Sequence, residues 1–324
     1  MRHFLLAAAL LVAGATCPLN AADRSGSRLV AVLFNGTADG RAPAYEVFIR
    51  KMRELGWKQN ERVRFEVRWG EGKLERLQPL AEELVRLEPA LIMAFSSPSA
   101  IAISRATRTI PVVAVSNDPV AMGMAKSYQR PGGNVTGVAS GYGETSAKQV
   151  EILLRIKPGL RKVAVLVDPD NKVTMQRFRT NEPAMRKLLP DMVVFEARSA
   201  VDLPAALARM KRENVEWLIV HLTEPFISER ALIARLAMEH RIPTMFPTTE
   251  GVDSGGLMSY GGSFRETYER AAYYADRVLR GADPAALPIE FTKTVELGLN
   301  LATGRTLGIS FPSDIVLRAE HVVN

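Results

Sequence analysis

Short apolar segments alternate with amphipathic segments along the chain from Arg28 onward. Leu29–Phe34 is almost entirely apolar, and Ala44–Leu55 follows with apolar residues at the spacing of a helix. The further segments with a strand-like pattern are Arg62–Trp69, Leu91–Phe95, Pro111–Val115, Val135–Ala139, Lys162–Val167, Met192–Ala197, Glu216–Val220, Thr244–Phe246 and Leu257–Tyr260. The further segments with a helix-like pattern are Pro98–Thr107, Leu74–Leu87, Thr145–Ile156, the residues after Asn171 to about Leu189, Val201–Glu213, Ser228–His240, Arg265–Leu279 and Leu299–Leu307.

Apolar strands that are joined by helices are typical of a parallel sheet with helices on both faces. The alternation runs to Val115 and starts again at Val135, which predicts an α/β protein of two doubly wound lobes. We expect residues 23–120 with about 261–290 to form the first lobe. Residues 121–260 with about 291–324 are expected to form the second, with the late segments crossing back to brace both.

The first 22 residues predict a secretory signal peptide. A basic start at Arg2 precedes the apolar run Phe4–Ala15, and small residues follow at Ala21-Ala22. This run of twelve residues is well short of the ~20 that a membrane-spanning helix needs. We therefore expect an exported, periplasmic protein. The only cysteine, Cys17, lies inside the signal, and a lipid anchor there is the less favoured alternative because Gly14-Ala15-Thr16 fits a lipoprotein site poorly.

Size and composition narrow the classes of function. About 300 residues after the signal are too many for one ordinary core and suit two domains. The chain carries 42 Lys and Arg against 35 Asp and Glu, a net charge of +7. The basic residues are dispersed among acidic ones and form no block with interleaved aromatics, so nucleic acid is not an expected partner. Without Cys17 the chain has no thiol for a disulfide or for a cysteine-ligated metal.

Polar residues gather where the predicted strands end. Ligands of open parallel α/β sheets bind beyond the carboxyl ends of the strands, and the strands themselves are nearly all apolar here. The candidates for ligand contact are Asn35, Ser97, Ser99, Asn117, Asp118, Tyr142, Asp168, His221 and Glu250.

Two of these strand ends have alternative interpretations. Ser96-Ser97-Pro98-Ser99 joins a buried strand to a helix, and its hydroxyls either cap the helix or help its free N–H groups to bind a carboxylate or phosphate. Asn117 and Asp118 either hold an ammonium or hydroxyl group of a ligand or form an Asx turn before Pro119. The sequence leaves these alternatives open.

The remaining candidates also have alternative interpretations. Tyr142 is flanked by glycines, where its ring either stacks on a ligand or packs beneath its own turn. His221 either faces the cleft or is an ordinary strand-end histidine, and we favour the second interpretation. Asp118 and Glu250 supply carboxylates near hydroxyl groups, an arrangement that suits a small zwitterion, a polyol or an amine.

Motifs of catalysis are missing from the sequence. The histidines after the signal, His221, His240 and His321, are not spaced as in compact metal sites. No nucleophile elbow, dinucleotide-binding glycine motif or phosphate-binding loop is present. We therefore predict a binding protein that is not an enzyme, with no catalytic residue, metal or cofactor. A periplasmic enzyme remains an alternative, because a carboxylate pair for glycoside chemistry needs no sequence motif. A periplasmic ligand sensor is the other.

A series of short motifs runs in order from about Arg28 to the C-terminus. They are Leu55-Gly56-Trp57, Arg68-Trp69-Gly70-Glu71-Gly72, Asn117-Asp118-Pro119-Val120, Arg130-Pro131-Gly132-Gly133-Asn134-Val135-Thr136-Gly137, Gly255-Gly256-Leu257-Met258-Ser259-Tyr260-Gly261, Asn300-Leu301-Ala302-Thr303 and Leu307-Gly308-Ile309. In order and spacing these motifs resemble the ABC-transporter substrate-binding family that includes the tryptophan-binding lipoprotein type.

The resemblance implies a periplasmic-binding-protein-like type I fold, in which two Rossmann-like lobes are joined by three crossings around a hinged cleft. It implies that a small molecule bridges both lobes, stabilises the closed state and is delivered to the membrane permease of an ABC importer. Known members suggest an aromatic amino acid, although His221–Glu224 and Pro247–Val252 depart from the commonest pattern of the family. We expect the protein to act as a monomer.

Overall fold

The structure is a computed structural model that describes residues 26–139 and 145–324. The predicted signal peptide with Cys17 and the predicted ligand contact Tyr142 lie outside these residues. Within the described ranges, no helix combines the length and the apolar character that crossing a membrane would require.

The secondary structure follows the predicted alternation. The strands of the described ranges are β1 (Arg28–Phe34), β2 (Val63–Trp69), β3 (Leu91–Ala94), β4 (Val112–Ser116), β5 (Val135–Ala139), β6 (Val163–Val167), β7 (Val193–Glu196), β8 (Trp217–Val220), β9 (Thr244–Phe246), β10 (Met258–Gly262), β11 (Glu290–Phe291), β12 (Val295–Asn300) and β13 (His321–Val323). The α-helices are α1 (Ala38–Glu54), α2 (Leu77–Arg86), α3 (Ser97–Ala106), α4 (Thr145–Ile156), α5 (Lys172–Leu188), α6 (Leu203–Arg212), α7 (Arg230–Glu239), α8 (Thr249–Asp253), α9 (Phe264–Leu279), α10 (Leu301–Leu307) and α11 (Ser313–Leu317).

Two sheets define the two lobes. The first has the strand order β11-β5-β4-β3-β1-β2, and every pair in it is parallel. The second has the order β13-β12-β10-β9-β8-β6-β7, in which only β10 and β12 pair antiparallel. The chain crosses between the sheets after β5, after β10 and after β11. The predicted α/β fold of two doubly wound lobes with three crossings is confirmed.

The strand order places a topological switch point in each sheet. In the first sheet α1 packs on one face and α3 on the other, so the chain leaves β1 and β3 in opposite directions. In the second sheet α5 and α6 likewise cover opposite faces beside β6 and β8. A crevice forms outside the strand ends at such points, which is where doubly wound proteins bind ligands.

One predicted lobe boundary needs correction. Residues 121–139 were assigned to the second lobe, but β5 pairs with β4 from Val112↔Val135 to Ser116↔Ala139 in the first sheet. The five residues of β5 are all buried, and the Thr136 hydroxyl donates to the Leu287 carbonyl at 2.7 Å. The apolar run therefore completes the first sheet instead of opening the second.

The predicted helix Leu299–Leu307 begins two residues too early. Leu299 pairs with Met258 in the antiparallel ladder of β10 and β12, and the Asn300 side chain accepts from the Thr303 N–H at 2.8 Å to cap α10. Helix α1 begins at Ala38, earlier than the predicted Ala44, because Thr37 caps it by accepting from the Gly40 N–H at 3.1 Å. The sequence pattern did not predict this first turn, because Gly40 and Pro43 both have low helix propensity.

An aromatic cluster forms the centre of the first lobe. The Phe34 ring lies 4.8 Å from that of Phe95 and 4.5 Å from that of Trp69, close to parallel in both pairs. Phe34 and Phe48 are fully buried, and burial of such a side chain stabilises a fold by about 1.5–3 kcal/mol. Helix α9 returns from the second sheet to pack on this cluster through Tyr268 and Tyr274.

Candidate ligand-binding cleft

A cavity of about 640 Å³, counting its open mouth, lies between the two lobes. It occupies the switch points of both sheets, beyond the ends of β1, β3 and β4 on one side and of β6 and β8 on the other. The first-lobe residues that line it are Asn35, Arg41, Phe95, Ser96, Ser97, Pro98, Val115, Ser116, Asn117, Phe264, Thr267 and Tyr268. The second-lobe residues that line it are Asn171, Thr174, Leu222, Thr223, Glu224 and Ile227.

One wall of the cavity is aromatic. The rings of Phe95 and Tyr268 stack at 4.8 Å with an angle of 10° between their planes. Phe264 extends this wall, with its ring 6.0 Å from that of Tyr268. Because Phe95 also stacks on the core residue Phe34, the wall is continuous with the hydrophobic centre of the lobe and is held rigidly. A flat apolar group of a ligand would find a preformed surface here.

The start of α3 forms a second, polar wall. The Ser96 hydroxyl oxygen accepts from the Ser99 N–H at 3.1 Å and donates to the Ser99 hydroxyl at 2.8 Å. The Ser97 hydroxyl oxygen accepts from the Asn117 N–H at 2.9 Å and ties α3 to the end of β4. Helix capping therefore accounts for Ser96 and Ser99, whereas Ser97 and Asn117 remain at the surface of the cavity.

The second lobe contributes a hydrogen-bonded group of polar side chains. Asn171 caps α5 and donates from Nδ2 to the Thr223 hydroxyl at 3.1 Å. The Thr174 hydroxyl lies 3.4 Å from the same oxygen. All three side chains are buried, so these partners hold them in fixed positions opposite the aromatic wall.

A buried ion pair joins the two lobes across the cavity. Arg41 of α1 contacts Glu224, which follows β8, and their side chains are only 7% and 2% exposed. Burial alone would lower the pKa of Arg41, but attraction to Glu224, Tyr268 and Glu250 outweighs it and raises the pKa above its usual value. The Ser228 hydroxyl donates to Glu224 at 2.8 Å, which helps to orient the carboxylate.

Close contacts beside this ion pair hold the lobes in a closed arrangement. Arg230 of the second lobe donates from Nη1 to the Gly40 carbonyl at 2.7 Å. The Thr37 N–H donates to the Ser228 hydroxyl at 3.3 Å. A Cβ atom at Gly36 would lie 2.6 Å from the Glu224 carboxylate, and one at Gly40 would lie 2.6 Å from the Ser228 Cα. The lobes approach this closely only because both positions are glycine.

The cavity wall includes buried polar atoms that have no hydrogen-bond partner among the described residues. Among them are the side-chain oxygen Oδ1 of Asn35, the Nε atom of Arg41 and the Oε1 atom of Glu224, which contacts Arg41 only as an ion pair. Buried polar groups in native proteins nearly always have a partner. An unsatisfied donor and unsatisfied acceptors at the wall of one cavity are therefore suited to hydrogen bonds with a ligand.

Of the eight predicted contacts that the structure describes, it brings three together at the cavity and separates five. Asn35, Ser97 and Asn117 line the cavity. Ser99 is fully buried behind Ser96. Asp118 does not line the cavity, because its Oδ1 accepts from the Ala121 N–H at 2.9 Å and from the Tyr128 hydroxyl at 2.7 Å. Its role is that of an Asx turn, the alternative that the sequence left open.

The predicted contacts of the second lobe also lie off the cavity. Asp168 accepts from the Asp170 N–H at 3.0 Å within its own turn, and burial raises the pKa of Asp168. Glu250 lies in α8, does not line the cavity and acts on Arg41 and Arg230 by charge. His221 lines an adjoining pocket of the second lobe, where its ring packs against that of Phe178 at 5.8 Å.

His221 makes a testable contribution to pH stability. Burial, and secondarily the charge of Arg177, lowers the pKa of His221 to about 3, below its unfolded value of about 6.5. Between these values the unfolded chain takes up a proton that the folded chain does not, so the free energy of unfolding falls with falling pH. We expect His221→Gln to flatten this dependence between pH 6.5 and 4 by up to about 1.4 kcal/mol per unit. Urea unfolding across this range measures it, and equal slopes for both proteins would contradict the assignment.

Several lining residues escaped the sequence analysis. Arg41 lies inside α1, and Phe264 and Tyr268 lie on α9, more than 120 residues beyond β5. Arg41 and Tyr268 lie within helices, and Phe264 is an apolar residue two positions after β10, whereas the criterion used was a polar residue at a strand end. Asn171 and Glu224 do follow strands, and the only signal for them was their place in the same turns as Asp168 and His221.

Comparison with known proteins identifies the family. The family model described as ABC transporter substrate binding protein matches residues 29–323. The chain belongs to this family. A tyrosine-binding protein of Clostridioides difficile (strain R20291) is 24% identical over 261 residues, which cover 80% of this chain and 75% of that protein.

Two solved structures share the fold of this substrate-binding protein. An ABC domain from Streptococcus pneumonia in complex with L-Trp superposes with a TM-score of 0.82 at 21% identity, covering 92% of this chain and 100% of that one. A conserved domain protein from Vibrio cholerae O1 biovar eltor superposes with a TM-score of 0.83 at 21% identity, covering 91% and 99%. The predicted two-lobed periplasmic-binding-protein fold is confirmed.

Family membership also fixes the class of activity. The protein is the extracytoplasmic solute-binding component of an ABC transporter. It is a binding protein and not an enzyme, as predicted.

Proposed function

We propose that this protein captures an aromatic amino acid in the cleft between its lobes and delivers it to the membrane permease of an ABC importer. The observation that carries the proposal is the cavity itself, in which a stacked aromatic wall faces a buried pair of opposite charges. The tyrosine-binding relative and the structure with bound L-Trp support the same class of ligand. Residues 1–22 direct export to the periplasm.

The lining of the cavity suits such a ligand, because aromatic side chains lie beside a small number of polar groups. Phe95, Phe264 and Tyr268 receive the aromatic ring, and the polar side chains at the strand ends receive the amino-acid head. Because the ligand touches both lobes, its binding favours the closed arrangement, and a permease would recognise that arrangement.

A ligand screen on the purified protein without residues 1–22 tests this function. Tryptophan, tyrosine and phenylalanine are compared with alanine, arabinose, a polyol and a simple amine by thermal unfolding, and hits are quantified by calorimetry. An aromatic amino acid at a hundredfold excess over its Kd is expected to stabilise the folded protein by about 2.7 kcal/mol. Stabilisation by the sugar, the polyol or the amine, with none from the aromatic amino acids, would overturn the proposal.

A further inference from the structure

The only formal charges on the wall of the cavity are those of Arg41 and Glu224, within the part of the chain that the structure describes. The other lining residues are neutral side chains, three of them aromatic. Because these two charges pair with each other, the cavity has no net charge. A ligand with a net charge would bring an uncompensated charge into the cavity, and burial of an unpaired charge is costly.

The ion pair does not belong to the core of either lobe. Arg41 comes from the first lobe and Glu224 from the second, so their contact joins the two lobes across the cleft. Buried ion pairs contribute little net stability compared with apolar residues of the same size. The placement of these two charges in an aromatic cavity is therefore better explained by what the cavity binds than by the stability of the fold.

The buried atoms of the cavity wall that lack a hydrogen-bond partner include both a donor and an acceptor. Nε of Arg41 is a buried donor without an acceptor among the described residues, and Oδ1 of Asn35 is a buried acceptor without a donor. The guanidinium carbon of Arg41 lies 5.8 Å from the centre of the Phe264 ring. A group bound to Arg41 is thus held next to the aromatic wall. An anionic group and a cationic group on one small ligand would complete both atoms at once.

We infer that Arg41 binds the carboxylate of the ligand and that Glu224 and Asn35 bind its ammonium group, so that the cavity selects free zwitterionic amino acids. The inference rests on the proposed function and adds the residues that bind the two charged groups of the ligand. The aromatic ring lies against Phe95, Phe264 and Tyr268. Amines, carboxylic acids and peptides, which lack one charge or carry the two far apart, are rejected.

Ligands that lack one charge test this selection. Tryptophan is compared by calorimetry with tryptamine, which lacks the carboxylate, and with indole-3-propionate, which lacks the ammonium group. We expect each analogue to bind about 10- to 100-fold more weakly, because each loses a charge-assisted hydrogen bond. Tryptamine or indole-3-propionate binding as tightly as tryptophan would overturn the inference and leave the aromatic part of the proposed function intact.

Two variants test which residue binds which charged group of the ligand. In Arg41→Gln the ratio of tryptamine to tryptophan affinity should approach one, and in Glu224→Gln the ratio for indole-3-propionate should do so. Arg235→Gln is the matched control, because Arg235 is exposed on α7, pairs with Glu239 and does not line the cavity. It should leave the affinities and both ratios unchanged. Ratios in Arg41→Gln and Glu224→Gln that equal those of the unaltered protein would overturn the assignment.

The experiment separates this inference from the proposed function. Tight binding of leucine with none of tryptophan or tyrosine would contradict the aromatic class and support the selection of zwitterions. Tight binding of an uncharged sugar or polyol would overturn both. The double variant Arg41→Gln/Glu224→Gln leaves no unpaired buried charge, so it is expected to fold and to lose both kinds of discrimination. Its folding is verified by circular dichroism and by its unfolding midpoint without ligand.

Discussion

Substitution of Gly40 by alanine is expected to weaken ligand binding about 10- to 100-fold while slightly stabilising the first lobe. The new Cβ would lie 2.6 Å from both Cα and Cβ of Ser228 in the second lobe. The Cα is a backbone atom, so no side-chain rotation removes the clash. Overpacking of this kind costs about 1–3 kcal/mol, and the cost falls only on the closed arrangement. Within α1 itself, alanine in place of glycine is worth up to about 1 kcal/mol in favour of the helix.

Three measurements separate these opposite effects. Calorimetry gives the loss of affinity, small-angle X-ray scattering with ligand gives the loss of compaction, and thermal unfolding without ligand gives the stability of the lobes. Gly133→Ala is the matched control, because a Cβ at Gly133 meets nothing within 4 Å. Unchanged affinity and compaction in Gly40→Ala would contradict the closed contact between α1 and Ser228.

Substitution of Gly137 by alanine is expected to give the largest loss of stability. Gly137 lies in β5 with φ +139, and its Cβ would lie 2.2 Å from the carbonyl oxygen of Ala114 in the neighbouring strand. A strained backbone costs about 1–3 kcal/mol, and the clash with β4 adds about 1–3 kcal/mol. We expect the free energy of unfolding to fall by about 3–5 kcal/mol and the unfolding midpoint by about 10 °C.

A second glycine separates backbone strain from the clash. Gly159 has φ +81, and a Cβ there would meet nothing within 4 Å. Gly159→Ala therefore reports the strain alone, about 1–2 kcal/mol. Urea unfolding of both variants measures the difference. Equal losses would show that the approach of β5 to β4 contributes nothing and would contradict the packing described here.

The ends of the strands were predictable because the strands are continuous apolar runs. Asn35, Ser97 and Asn117 are the first polar residues of their turns or lie close to them, and the parallel sheet brings them to one edge. The same reasoning included Asp118 and Asp168, which also follow strands. Their carboxylates accept from N–H groups of their own turns. Strand-end position alone does not separate a side chain that caps a turn from one that faces a ligand.

The charged and aromatic parts of the cavity could not be predicted in this way. Arg41 is not at the end of a strand and lies in the first turns of α1. The sequence pattern did not predict these turns as helix, because they contain Gly40 and Pro43. Phe264 and Tyr268 reach the cavity because α9 crosses back from β10 to the first lobe, and their sequence pattern is that of any amphipathic helix. The pairing of Arg41 with Glu224 joins residues from different lobes, and no local pattern encodes such a contact.

The class of fold and the edge of each sheet that lines the cavity follow from the order of apolar and polar residues alone. Hydrophobic periodicity is a local property of the sequence. It therefore reveals the apolar strands, the amphipathic helices and their polar ends in the order in which they occur. Only the tertiary structure decided the composition of the site. The assignment of β5 to the first sheet, the aromatic wall from α9 and the ion pair across the cleft all depend on contacts between distant segments. Those contacts follow from the packing of whole elements, because side chains of the two lobes meet only after both sheets have formed and the cleft has closed.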